Sequence, residues 1–149
     1  MKWNSKFDDP KESTGFLLWR VSQDWQRAIT KELSEIGLTH VQFVLLAACD
    51  YLVTSEGPIT QKQLASFTKT NIMMVSDVVR TLQTKGLMER SKNPQDKREI
   101  LLTPTKEGTE KVKVAVPVVE GVDQKFFEGL KNAQTDFNKH LLKLLDEEK

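Results

Sequence analysis

The chain has 149 residues, enough for one domain with a sizeable core, and its 22 Lys/Arg against 21 Asp/Glu leave a net charge of only +1. Overall charge therefore argues for no particular partner, and the single cysteine, Cys49, excludes a disulfide framework and a cysteine-based zinc site. No apolar run approaches the ~18 residues of a membrane span, and the opening M-K-W-N-S-K-F-D-D-P has no signal-peptide pattern, so a cytoplasmic protein without a membrane partner is expected.

Residues 1–12 are polar, contain Pro10 and read as a loosely held arm. From Ser13 onward Phe16, Leu17, Trp19, Val21, Trp25, Ile29 and Leu33 occupy a long helical segment ending near Gly37. Its apolar residues fall on more than one side. A surface helix of a monomer needs only one stripe, so this one buries against more than one neighbour. T-H-V-Q at 39–42 is a capping box, with Thr39 placed to take the N3 amide and Gln42 to reach back. The helix behind it, residues 41–53, is strongly apolar and should be the central core element, a setting that favours an inert buried thiol at Cys49 over an oxidant sensor. His40, at its start, reads as polar surface. E-G-P at 56–58 breaks the helix, and T-Q-K-Q at 60–63 is a second capping box. It opens a short helix with Leu64, Ala65 and Phe67 inward.

After a turn at 68–70, Ile72, Val75, Val79 and Leu82 recur at helical spacing with Val78 beside them, while Met73, Ser76, Asp77, Arg80 and Thr84 take the opposite side. Gly86 stops this helix as a C′ residue. Short helix, tight turn and amphipathic helix make a helix-turn-helix pattern. Two short strands, 87–91 and 99–102, follow, joined by N-P-Q-D-K as a basic hairpin. From Thr60 to Lys106 nine Lys/Arg stand against four acids, whereas the rest of the chain is net acidic. A basic middle between acidic ends points to one polyanion-facing surface. The outline is that of a winged helix: a fold that is mainly α with a small β-hairpin wing.

Thr103-Pro104 reads as a helix start with Pro at the first helical position. V-K-V-A-V-P-V-V at 112–119 looks like a strand on propensity, but its flanks suit a helix, weakened near Pro117. A turn at 129–132 and a last helix at 133–148, with Phe137, Leu141, Leu144 and Leu145 on one stripe, complete the chain.

The run L-T-H-V-Q-F-V-L-L, then T-Q-K-Q-L-A, K-G-L-M-E-R, N-P-Q-D-K-R and L-L-T-P resembles the MarR family of bacterial transcriptional regulators over residues 13–147. The most specific part is G-L-x-x-R followed by D-x-R and L-T. The resemblance implies a homodimer whose terminal helices, 13–37 and 104–148, intertwine. The winged helix-turn-helix at 39–103 then faces half of a pseudo-palindromic double-stranded DNA site, often as a repressor relieved by a small ligand. It also accounts for the many-sided first helix and the valine-rich segment, which would bury a subunit interface. Two positions depart from the family's commoner pattern. Asp77 stands where a basic or neutral residue is more usual, and Met73 and Met74 replace small polar residues, which leaves the DNA sequence preference open.

On that reading Arg98 at the wing tip enters a narrow minor groove, steered by an ion pair to Asp96, with Lys97 and Lys92 beside it. Arg90 either holds backbone phosphate or braces the base of the wing. Asn71, Met73, Ser76, Asp77 and Arg80 face the major groove: Arg80 suits a guanine edge, Met73 a thymine methyl, and Asp77 either orients Arg80 or accepts from cytosine. Thr60, Gln61 and Lys69 are backbone candidates, although Thr60 also serves as a cap. Phe16, Trp19 and Phe43 lie in segments that wall an effector crevice in similar proteins, which would suit a small aromatic or lipophilic effector. Aromatic residues at helical spacing are nevertheless more often core. No glycine-rich phosphate loop, metal-spaced cluster or activated nucleophile appears, so neither an enzyme nor a cofactor or metal is expected. The alternative is a winged helix used only for protein contacts. Lys97 and Arg98 argue against it, because such a module has no need of a basic wing tip.

Overall fold

A computed structural model describes residues 3–145. In chain order the elements are α1 (Thr14–Ser34), α2 (His40–Glu56), β1 (Ile59–Thr60), α3 (Gln61–Thr68), α4 (Ile72–Thr84), β2 (Met88–Asn93), β3 (Asp96–Pro104), α5 (Lys106–Phe127) and α6 (Gln134–Leu144). A short 3-10 turn, Pro10–Glu12, precedes α1, and another, Glu128–Ala133, links α5 to α6. Positions 1 and 2 of the expected arm and 146–148 of the expected last helix lie outside the described residues.

Local chemistry sets most boundaries. Both capping boxes form: Thr39 and Gln42 cap α2, and Thr60 and Gln63 cap α3. At the end of α4, Gly86 takes φ +76°, its N–H donates to Gln83 O, and the Leu87 N–H donates to Leu82 O at 2.9 Å. This Schellman closure satisfies the last carbonyls and aims the chain straight into β2.

The core is a single cluster built from Ile29 and Leu33 of α1, Leu45, Leu46 and Cys49 of α2, Ile59 of β1 and Leu64 of α3. Val75, Val79 and Leu82 of α4, Met88 of β2, Leu102 of β3, and Val112 and Ala115 of α5 belong to it, with Leu38, Ala65 and Leu87. Burial pushes the Cys49 thiol up to about 12, with Asp50 adding to the effect. A buried thiol raised in this way should resist iodoacetamide in the native protein and react only once unfolded. Mass spectrometry before and after denaturation checks this, and rapid native alkylation would contradict it.

The structure corrects several expectations. Ile59 and Thr60 form a third strand that the sequence reading lacks, giving an antiparallel sheet of order β1-β3-β2 with Ile59 opposite Leu102. The wing strands run longer than expected and close over Pro94 and Gln95, with Asn93 paired to Asp96. Pro104 is not the first residue of a helix. It ends β3 opposite Met88, and Thr105 caps α5 through Gly108 N. A proline at a strand's last position sacrifices no interior ladder bond. The valine-rich segment is helical, and α5 continues through Pro117. Phe67 is 52% exposed rather than inward and stacks on Tyr51, and Ile72, in the first turn of α4, is 46% exposed. His40 is half-buried: its ring meets Trp25 edge-on at 5.0 Å, while Trp25 Nε1 donates to Asp123 Oδ1 at 2.8 Å. Burial holds the His40 pKa below its ordinary value, and the Asp123 carboxylate pulls the other way.

Candidate nucleic-acid interface

The face of α4 turned from the core carries the side chains expected there. Val75, Val79 and Leu82 bury one stripe, leaving Met73, Asp77, Arg80 and Thr84 exposed and Ser76 half-exposed. Met73, at 75% exposure, is an apolar side chain that no other described residue covers. Asn71 is the N-cap: its Oδ1 accepts from Met73 N at 2.8 Å and Met74 N at 3.4 Å. The amide NH2 stays available to donate outward. Asp77 and Arg80 do not pair among the described residues, whose ion pairs are Arg27–Asp24, Arg98–Asp96 and Lys113–Glu110. Arg80 is thus not tied to Asp77 by a salt bridge, contrary to one of the two roles expected for that carboxylate.

The wing holds its arginine as expected. Asp96 Oδ1 accepts from the Arg98 backbone N–H at 3.1 Å and from Nε at 3.3 Å, while the Arg98 side chain is 92% exposed. The carboxylate fixes the stem and leaves the terminal nitrogens pointing out. Gln95 N donates to Asn93 Oδ1 at 3.0 Å, closing the tip. Lys92 and Lys97 are exposed alongside. Arg90 differs from them: it is half-buried opposite Leu102, and its Nε is buried without a partner among the described residues. That placement favours the bracing role over a purely superficial one.

The start of α3 meets the wing. Thr60, Gln61, Lys62, Ile72, Arg98, Glu99 and Ile100 line one small open cleft of about 210 Å³. Thr60 Oγ1 is occupied as a cap, accepting from Gln63 N at 3.0 Å, and Gln61 Nε2 is buried without a partner among the described residues. Lys62, which is not among the candidates read from the sequence, belongs to this group. Its place in the first turn of a capped helix was the available signal. Lys69 ends α3 in the left-handed region, at φ 56° and ψ 40°, with its side chain exposed. A lysine there costs about 1 kcal/mol of backbone strain that glycine avoids. Lys69→Gly should therefore leave thermal stability unchanged or slightly raised. If Lys69 holds a phosphate, the same change should flatten the slope of log affinity against log salt by about 1. Melting curves and salt-dependent anisotropy check both, and a lower melting temperature with an unchanged slope would count against the phosphate role.

Among the described residues Phe16, Trp19 and Phe43 take three different settings. Phe16 lines a cleft of about 210 Å³ with Trp3, Phe7 and Pro10 of the N-terminal arm. Trp19 is 62% exposed on α1, and Phe43 packs half-buried against the core.

The geometry is that of a winged helix-turn-helix, and comparisons with known proteins agree. The model of the MarR family matches residues 38–100. The chain is 61% identical over 127 residues to the uncharacterized HTH-type transcriptional regulator YdcH of Bacillus subtilis (strain 168), covering 85% of this chain and 86% of that protein. The chain belongs to the MarR family. As a MarR-family protein it is a helix-turn-helix transcriptional regulator and not an enzyme. Among solved structures, a mutant MarR from E. coli complexed with operator DNA superposes with TM-score 0.75 at 25% identity, covering 88% of this chain and 91% of that one. Bordetella bronchiseptica BpsR, in a structure concerned with regulation of DNA binding by 6-hydroxynicotinic acid, superposes with TM-score 0.80 at 28% identity. It covers 92% and 95% of the two chains. Among the described residues no helix of this MarR-family chain is long and apolar enough to cross a membrane.

Proposed function

We propose that this MarR-family regulator is a homodimeric repressor. Each protomer places α4 in a major groove and the β2–β3 wing against the flanking minor groove of a pseudo-palindromic operator. The observation that carries the reading is the joint exposure of the α4 outer face and Arg98, held by Asp96 and directed outward. Asn71, Met73, Ser76, Asp77 and Arg80 read base edges. Arg98, with Lys92, Lys97 and Asp96, serves the wing, while Thr60, Gln61, Lys69 and Arg90 hold or brace the backbone contact. Without a pairing to Arg80, Asp77 is left to accept from a cytosine amino group.

Dimerisation draws on residues 13–37 and 104–148, leaving 39–103 to the DNA. Leu17, Leu18, Trp19 and Val21 of α1, with Leu141, Leu142 and Leu144 of α6 and the adjoining Leu145, are large apolar side chains left exposed in the protomer. Exposure of so many on the terminal helices supports burial against a second copy. Phe16 and Trp19 lie on that surface, so an effector crevice using them is completed by the partner. The BpsR precedent supports a small aromatic effector.

The experiment is a selection of bound sequences from a random duplex library at two salt concentrations. Recovery of a pseudo-palindrome with half-sites about one helical turn apart, binding more weakly at the higher salt, is expected. Sequence-indifferent recovery would overturn the operator reading.

A further inference from the structure

The end of the recognition helix is gripped from two sides by elements outside the DNA face. On one side Lys85, the C-cap of α4, sends its Nζ across to the α1–α2 turn. There it donates to Gly37 O and to Gln42 Oε1, each at 2.8 Å. Gln42 is the one buried polar side chain among the described residues, and the same Oε1 accepts from Thr39 N at 3.2 Å in the α2 capping box. On the other side Thr105, the cap of α5, donates from Oγ1 to Gly86 O at 2.7 Å and from its backbone N–H to Leu87 O at 3.1 Å. The helix that faces DNA is therefore pinned at its C-terminus to the turn leaving α1 and to the start of α5.

We propose that Lys85 is a positioning residue for DNA recognition: it fixes the recognition helix to the α1–α2 turn and does not contact DNA. The proposal rests on the DNA-binding reading above. Two of the three ammonium protons are committed to protein acceptors. Lys85 also lies five residues beyond Arg80, about 7.5 Å further along the helix axis at ~1.5 Å per residue, away from the turns that carry the groove candidates. Both acceptors sit at the α1–α2 junction, so the contact ties the end of α4 to the turn between those two helices. The sequence separation is large (48 residues to Gly37), so the link couples two distant parts of the chain.

The test uses the full-length protein, with the selected operator and a scrambled duplex of equal length as probes. Lys85→Met should weaken operator binding by about tenfold or more, leave scrambled-duplex affinity unchanged, and keep the wild-type salt slope. Lys85→Arg, which retains donors, should restore most of the operator affinity. A slope lowered by about 0.9, with operator and scrambled duplex weakened equally, would mark a phosphate contact and overturn the proposal. Unchanged operator affinity in Lys85→Met would overturn it as well.

Hydrogen exchange on the DNA-free protein gives an independent reading. Lys85→Met should speed exchange in the last turn of α4 and the first turn of α2, and Lys85→Arg should not. Wild-type exchange in Lys85→Met would refute the tie whatever DNA does. If the wild-type protein bound neither duplex while Lys85→Met still loosened those amides, the DNA-binding reading would fail and the pinning would stand.

Discussion

Replacing Arg98 with alanine is expected to lower operator affinity by about 10- to 100-fold while leaving the oligomeric state and the melting temperature unchanged. The expectation follows from how little of this side chain the protein itself uses. Its single polar partner among the described residues is Asp96, in a solvent-exposed pair that contributes little to stability. The hairpin tip does not depend on it either, being closed by Asn93 and Gln95. What the pair supplies is direction: two contacts to one carboxylate oxygen hold the backbone and the Nε, leaving the guanidinium end to meet DNA. In a narrow minor groove the negative potential is deepest, so the loss falls on binding alone. Anisotropy titration of the selected duplex, with sedimentation of the same samples, measures both quantities. Wild-type affinity in Arg98→Ala would remove the wing from the interface.

The second large effect concerns stability. Gly108, in the first turns of α5, lies against Leu87, and a Cβ built there would sit 1.9 Å from Leu87 O and 3.4 Å from Leu46 Cδ1. The obstacle is a backbone carbonyl that already accepts from Thr105 N, so it has no easy retreat. Gly108→Ala must push α5 away from the α4–β2 junction. The expected cost is about 3 kcal/mol, at the upper end for overpacking. For a chain of this size that corresponds to a fall in melting temperature of roughly 6–12 °C at fixed protomer concentration. Calorimetry of the two proteins tests it. A loss within the scatter of surface substitutions would mean that the close approach is not maintained in solution.

The parts of the fold legible in the sequence were those set by neighbours in sequence. Thr39 with Gln42 and Thr60 with Gln63 cap helices three residues away, Gly86 closes α4, and Asp96 reaches Arg98 two residues on. What was not legible depended on distant partners. β1 is two residues long, too short for any alternation to register, and exists because Leu101 and Leu102 lie opposite it. Phe67 and Ile72 sit on the apolar arcs of their helices but at helix ends that neighbouring elements cover only in part, Tyr51 of α2 stacking on Phe67 and wing residues flanking Ile72. Pro104 has the residue chemistry of a helix start, yet β3 extends two residues further than expected to pair with Met88 and leaves the cap to Thr105. Within the interface, Lys62 and Arg98 come from segments far apart in sequence to line one cleft. The reach of Lys85 to Gly37 is longer still.

Hydroxyl-radical footprinting of the selected operator by the wild-type protein tests most directly whether this MarR-family chain binds DNA as a symmetric pair of winged helices. The expected pattern is two-fold symmetric, with protection related by about one helical turn and outer minor-groove protection that disappears with Arg98→Ala. A single unsymmetric patch, or outer protection that persists without Arg98, would contradict that arrangement.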